Sequence, residues 1–179
     1  MAKVSIMFFL SLFFYCIVPG ISEAKKDSKA VNWLPVQQVE NLMRKETRPV
    51  IVDVYTDWCV YCKLMDATTW KNDSVRQYIA QHFYAIKLDA ESKAPISWQG
   101  TEYLYKEKYK VHDWAIKLLR GSIVYPSLVI IPEKGAWQVL PGSFTATELE
   151  AALKYYGSKA NERIDFETYY RQFSGSWKN

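Results

Sequence analysis

The 179-residue chain is poor in cysteine, histidine, glycine and proline, with 3, 2, 7 and 7 of each. Three cysteines exclude a scaffold stapled by several disulfides. No run of Lys or Arg exceeds two residues, and the net charge is only +4, so nothing asks for a nucleic-acid partner. Internal repeats and low-complexity tracts are absent. His82 and His112 lie far beyond the cysteines in sequence, outside the compact spacing of a zinc finger, and no His stands beside a thiol as in a cysteine protease. The expectation is a protein without metal or cofactor. What is present is a hydrophobic fraction of 49% and an aromatic fraction of 16%, enough for one packed domain.

The one long apolar run is N-terminal. Lys3 supplies a positive start, Val4 to Val18 is broken only by Ser5 and Ser11, and Ser22 and Ala24 precede a cut before Lys25. The run falls short of the about 20 residues of a membrane span. The pattern predicts a signal peptide over residues 1–24 and export to the periplasm, with a retained membrane anchor as the alternative. Cleavage removes Cys16 and leaves Cys59 and Cys62 as the only cysteines. Two cysteines three apart in an exported chain point to working chemistry rather than stapling.

Residues 25–30 read as a polar leader, 31–157 as one domain, and 158–179 as an extension. Val36 to Glu46 has helical spacing. Val50 to Tyr55 is β-branched and apolar on both faces, as in a buried strand. A helix is expected from Cys59 through Met65, then another capped by Asn72 or Asp73. Phe83 to Leu88 reads as a strand and Ala90 to Gly100 as irregular. Tyr103 to Arg120 reads as mostly helical, broken near His112. Ser127 to Ile131 and Ala136 to Leu140 form a hairpin about the turn Pro132 to Gly135. Thr145 to Tyr156 is a helix with Glu148 in its first turn, and Phe166 to Phe173 is a short helix that docks on the domain. This order implies an α/β fold, a mixed central sheet covered by helices on both faces.

The chemistry concentrates where a strand meets a helix, in Asp53-Val54-Tyr55-Thr56-Asp57-Trp58-Cys59-Val60-Tyr61-Cys62-Lys63. Cys59 falls at the helix N-terminus, where unpaired amides and the helix dipole favour an anion. A free thiol with a pKa near ~8.5 is about 3% thiolate at pH 7. Lowering that pKa to about 7 takes about 2 kcal/mol of differential stabilisation. Cys59 is therefore expected to be acidic and open to solvent, with Cys62 one turn on and beneath it. Asp53 is the only acid in an otherwise apolar strand; burial raises a carboxyl pKa toward the range of a proton acceptor.

These residues resemble the active site of the thioredoxin superfamily. Trp58-Cys59-Val60-Tyr61-Cys62-Lys63 is similar to its redox motif, and Asp53 to its buried acid. Tyr125-Pro126-Ser127 resembles its cis-proline loop, Lys87 its strand lysine, and Gly142 the glycine lining its substrate groove. The likeness covers roughly Val36 to Tyr156 and is greatest to the exported bacterial branch. It implies a thioredoxin-like fold with a redox-active Cys59–Cys62 disulfide. It also implies partner binding through Trp58, Tyr61, Tyr125, Pro126 and Gly142. Two features depart from small thioredoxins. Val60-Tyr61 replaces the usual Gly-Pro, and the segment before the cis-proline loop is enlarged. The added aromatics Trp98, Tyr103, Tyr105 and Trp114 are expected to bury the extra structure rather than shape the groove.

The functional expectation is a monomeric protein-disulfide reductase. It acts on exported proteins that carry disulfides and draws electrons from a membrane-bound thiol donor. A disulfide oxidase or isomerase on the same fold stays open, as does a metal-delivery protein that uses Cys59 and Cys62 as ligands.

Overall fold

A computed structural model describes residues 30–179. Its central sheet has four strands: β1 (Val50–Tyr55), β2 (Tyr84–Asp89), and later in the chain β7 (Ser127–Ile131) and β8 (Gln138–Pro141). Their order is β2-β1-β7-β8. β1 pairs parallel with β2 and antiparallel with β7, and β7 pairs antiparallel with β8. The sheet is therefore mixed, and β1 is an inner strand with neighbours on both sides.

Alternation along β1 divides the core in two. Val50, Val52 and Val54 join Val39 of α1 (Val36–Met43) and Trp114, Ala115 and Leu118 of α4 (Asp113–Leu118) on one face. Ile51 turns to the other face. It packs with Met65 of α2 (Val60–Ala67), Val75 and Ile79 of α3 (Asp73–His82), and Leu149 and Leu153 of α5 (Ala146–Gly157). Helices on both faces explain why β1 and β7 carry almost no polar residues.

Local signals fix the helix starts. The Asn72 side chain accepts from Ser74 N at 3.0 Å and Val75 N at 3.3 Å, capping α3. Thr145 and Glu148 close a reciprocal capping box on α5. The C-terminal α6 (Phe166–Gln172) lies against α5, with the Tyr155 ring 5.2 Å from both Phe166 and Tyr169.

The segment from Tyr103 to Arg120 differs from the helical expectation. Only α4 is helical there. Before it stand two hairpins, β3 (Ile96–Trp98) with β4 (Thr101–Tyr103), and β5 (Tyr105–Lys106) with β6 (Val111–His112). Gln99 and Gly100, with φ of 51° and 75°, make the tight left-handed turn that suits strand twist. Trp98, Tyr103 and Trp114 are buried together, Trp98 and Trp114 at 5.5 Å, so these three of the four added aromatics bury this insertion, while Tyr105 is only half-buried. His112 caps α4: its Nδ1 accepts from Trp114 N at 3.2 Å.

The region 1–24 and most of the polar leader lie outside the described residues. Among the described residues no helix is long and apolar enough to cross a membrane.

Candidate functional site

Cys59 is the N-cap of α2, and its sulfur accepts from Cys62 N at 3.1 Å. The Cys59 amide donates to Thr56 O at 3.1 Å, fixing the turn out of β1. The two cysteines form a disulfide with Cα atoms 5.3 Å apart. Both are covered almost equally, Cys59 at 5% exposure and Cys62 at 4%, which corrects the expectation of an open Cys59 above a buried Cys62. In the disulfide the two sulfurs are bonded to each other and share one environment. The chain neighbours of the pair, Trp58, Val60 and Tyr61, are largely exposed.

Asp53 lies on the face of β1 that it shares with Ile51, toward α2 and Met65. It is 3% exposed. Burial pushes its carboxyl pKa up to about 7. The Lys87 ammonium, 3.8 Å from Asp53 Oδ2, opposes that rise, and the Asp66 carboxylate adds to it. The Trp70 N–H makes no hydrogen bond of ordinary geometry, and its pull on Asp53 is weak. Lys87 is itself shared: it hydrogen bonds Asp66 and lies over the rings of Tyr55 and Trp33 at 4.9 and 5.6 Å. Divided in this way, Lys87 does not cancel the effect of burial on Asp53.

Tyr125-Pro126 is a cis peptide bond. The Tyr125 ring meets Trp58 edge-on at 6.0 Å, so the motif tryptophan and the proline loop touch. Gly142, at φ 100°, donates to Pro126 O at 2.8 Å and ties the β8 end to the same loop. Trp58 Nε1 donates to Glu91 Oε1 at 3.0 Å. Among the described residues no cluster of three or more His, Cys, Asp or Glu side chains is placed to hold a metal ion.

A family profile described as "Thioredoxin-like domain" matches residues 36–157, most of the chain. The chain belongs to the thioredoxin-like family. Its cysteine pair is the motif of a thiol–disulfide oxidoreductase in that superfamily. The match to known proteins is partial in extent. A "Thiol:disulfide interchange protein DsbD" of Pectobacterium atrosepticum is 29% identical over 68 residues, 36% of this chain and 12% of that protein. The same-named protein of Yersinia pestis is 34% identical over 56 residues, 29% of this chain and 9% of that protein. The chain thus spans about a tenth of the length of these relatives. Among solved structures, a thioredoxin from Thermus thermophilus matches with a TM-score of 0.52 at 18% identity, over 76% of this chain and 98% of the other. A "DsbH Oxidoreductase" matches with a TM-score of 0.51 at 13% identity, over 72% and 85%. These likenesses show the thioredoxin fold.

Two site residues were not read from the sequence. Asp66 stands four residues after Cys62, one turn along α2, and that spacing was a usable signal. Glu91 reaches Trp58 from just beyond β2, and no local pattern in the sequence points to it.

Proposed function

We propose that this chain is an exported protein-disulfide reductase working by dithiol–disulfide exchange. The Cys59 thiolate attacks a substrate disulfide. A Cys59–substrate S–S bond forms, the substrate S–S bond breaks, and one substrate sulfur leaves as a thiol after taking up a proton. Asp53 takes the proton of Cys62. The Cys62 thiolate then attacks Cys59 Sγ, the mixed disulfide breaks, and the second substrate thiol is released. The protein is left oxidised at Cys59–Cys62. Trp58 and Tyr61 flank the pair, while Tyr125, Pro126 and Gly142 orient the partner chain. Lys87 keeps the Asp53 pKa from rising further.

The observation that carries the reading is the Asp53 carboxyl, buried on the α2 face of β1 and raised to about 7. A base of that strength serves release of reduced substrate at neutral pH. The signal-like sequence pattern over 1–24 supports export to the periplasm, and the thiol:disulfide interchange named for the DsbD relatives supports partner proteins with disulfides and a thiol electron donor, taken as membrane-bound. The chain acts as a monomer. Residues 158–179 are an extension of the 31–157 domain.

Trapping tests the reading. The Cys62→Ser variant should hold its partners as mixed disulfides at Cys59, and their identity reports direction. A reduction potential near the ~−120 mV of strong periplasmic oxidants would overturn the reductase reading.

A further inference from the structure

The solvent face of α2 carries Tyr61 and Lys63 beside a row that starts with two exposed aliphatic side chains. Val60 and Leu64 are 74% and 52% exposed, and Thr68 at the helix C-cap continues the same i, i+4 row. That row runs from the disulfide at one end of the helix to a cavity of about 500 Å³ at the other. Leu64, Thr68, Thr69, Thr145 and Ala146 line the cavity together with the amides Asn72 and Asn179, and Lys71 is the only charged side chain in its wall. A second path joins it to the same site. Gly142 donates to Pro126 O at 2.8 Å, and Phe144 O accepts from Thr69 Oγ1 at 2.6 Å. One short loop, 142–145, therefore borders the proline loop at one end and the cavity at the other.

The volume suits a ligand-sized group. Two exposed aliphatic side chains, Val60 and Leu64, that lead from a cysteine that must meet a protein partner to the cavity fit a contact surface. Lys71 shows no ion pair among the described residues, so its charge is available to an acid. Leu64 stands about 7 Å along the helix axis from Cys59, and Thr68 about 13 Å, at 1.5 Å per residue. An extended partner chain at about 3.3 Å per residue covers that span in two to four residues.

We propose that this cavity is a second binding pocket for the partner polypeptide. It takes an apolar side chain two to four residues from the partner's cysteine, with a neighbouring carboxylate meeting Lys71. The inference rests on the reading that Cys59 exchanges with polypeptide disulfides.

The test uses peptides whose single cysteine is joined to an aromatic thiol. In reduced Cys62→Ser protein the Cys59 thiolate attacks the peptide sulfur. The Cys59–peptide S–S bond forms, the peptide–aryl bond breaks, and the coloured aryl thiolate leaves with the electron pair. Paired peptides carry leucine or serine three positions from the cysteine, on either side. The leucine peptide on one side should react about tenfold faster than its serine partner, the size expected for burying most of a leucine side chain. Leu64→Asp should abolish that preference; its side chain is half exposed, so the fold tolerates the change. Lys71→Glu should turn a preference for a glutamate beside the leucine into one for lysine, and an unchanged preference would remove the carboxylate from the proposal. Equal rates for leucine and serine peptides on both sides would overturn the pocket. No aryl thiolate from any peptide would overturn the exchange reading of Cys59 instead.

Discussion

The Lys87 ammonium stands 3.8 Å from the Asp53 carboxyl while it hydrogen bonds Asp66, so one cation serves two acids. Asp53 is deep in the sheet and Asp66 is partly open to water. The buried acid receives only part of the charge it would need to ionise easily, and its pKa rises from 3.8 to about 7.

Stability should therefore fall as the solution is made less acidic. The folded protein holds a proton on Asp53 that the unfolded chain releases near pH 4. The contribution is full below the unfolded pKa and is lost as pH rises from about 4 through about 7, to a total on the order of 4 kcal/mol. Asp53→Asn cannot ionise. Its advantage over the parent in urea unfolding should grow between pH 4 and 7 and then level off. A constant difference across that range would refute the buried, raised carboxyl.

The neighbours of Asp53 should move its titration in opposite directions. Lys87 lowers the Asp53 pKa and Asp66 raises it. If Asp53 accepts the proton of Cys62, the pH midpoint of mixed-disulfide resolution should rise above about 7 in Lys87→Met and fall below it in Asp66→Asn. Stopped-flow resolution rates against pH provide the measurement. A midpoint fixed in both variants would show that another group takes the proton.

Glu91 pins Trp58, which in turn meets Tyr125. Glu91→Ala should free the indole and weaken partner docking by about 1 kcal/mol, roughly a fivefold rise in KM for a protein disulfide. Turnover at saturating substrate should change much less. A fall in kcat with KM unchanged would instead place Glu91 in the exchange steps.

Glu150 makes the opposite pH argument. It is buried, yet it accepts from Lys154 at 2.5 Å, Ser176 N at 2.8 and 2.9 Å, Ser176 Oγ at 2.9 Å and Trp177 N at 2.9 Å. Burial pushes its pKa up, but these donors together hold it below the ordinary carboxylate value. Its contribution is present above the unfolded pKa and is lost as pH falls below about 4. Glu150→Ala leaves those donors unpaired and should cost about 2–4 kcal/mol. Acid unfolding of the variant, followed by circular dichroism, should begin at higher pH than in the parent.

Much of this was legible residue by residue. β1 and β7 begin and end where their apolar runs do, and Asn72 and Thr145 cap helices because their side chains reach the free amides. The insertion was misread because its strands are two or three residues long, too short for a period of two to show. Lys110 also adopts φ 55°, a conformation its identity does not advertise. Asp53 was visible as the lone acid of an apolar strand, and Lys87 and Pro126 through the resemblance to the thioredoxin superfamily. The links of Lys87 to Asp66 and of Trp58 to Glu91 join separate elements, and only the folded sheet brings them together.

β1 has β2 on one side and β7 on the other, and the whole hairpin insertion lies between β2 and β7 in the chain. During synthesis the first half emerges with one flank of β1 bare, and the Asp53 backbone has no strand partner on that side until Leu128 arrives opposite it. Cys59 and Cys62 precede β7 in the chain, so the strand that carries Asp53 is closed on both flanks only after the cysteine pair has emerged.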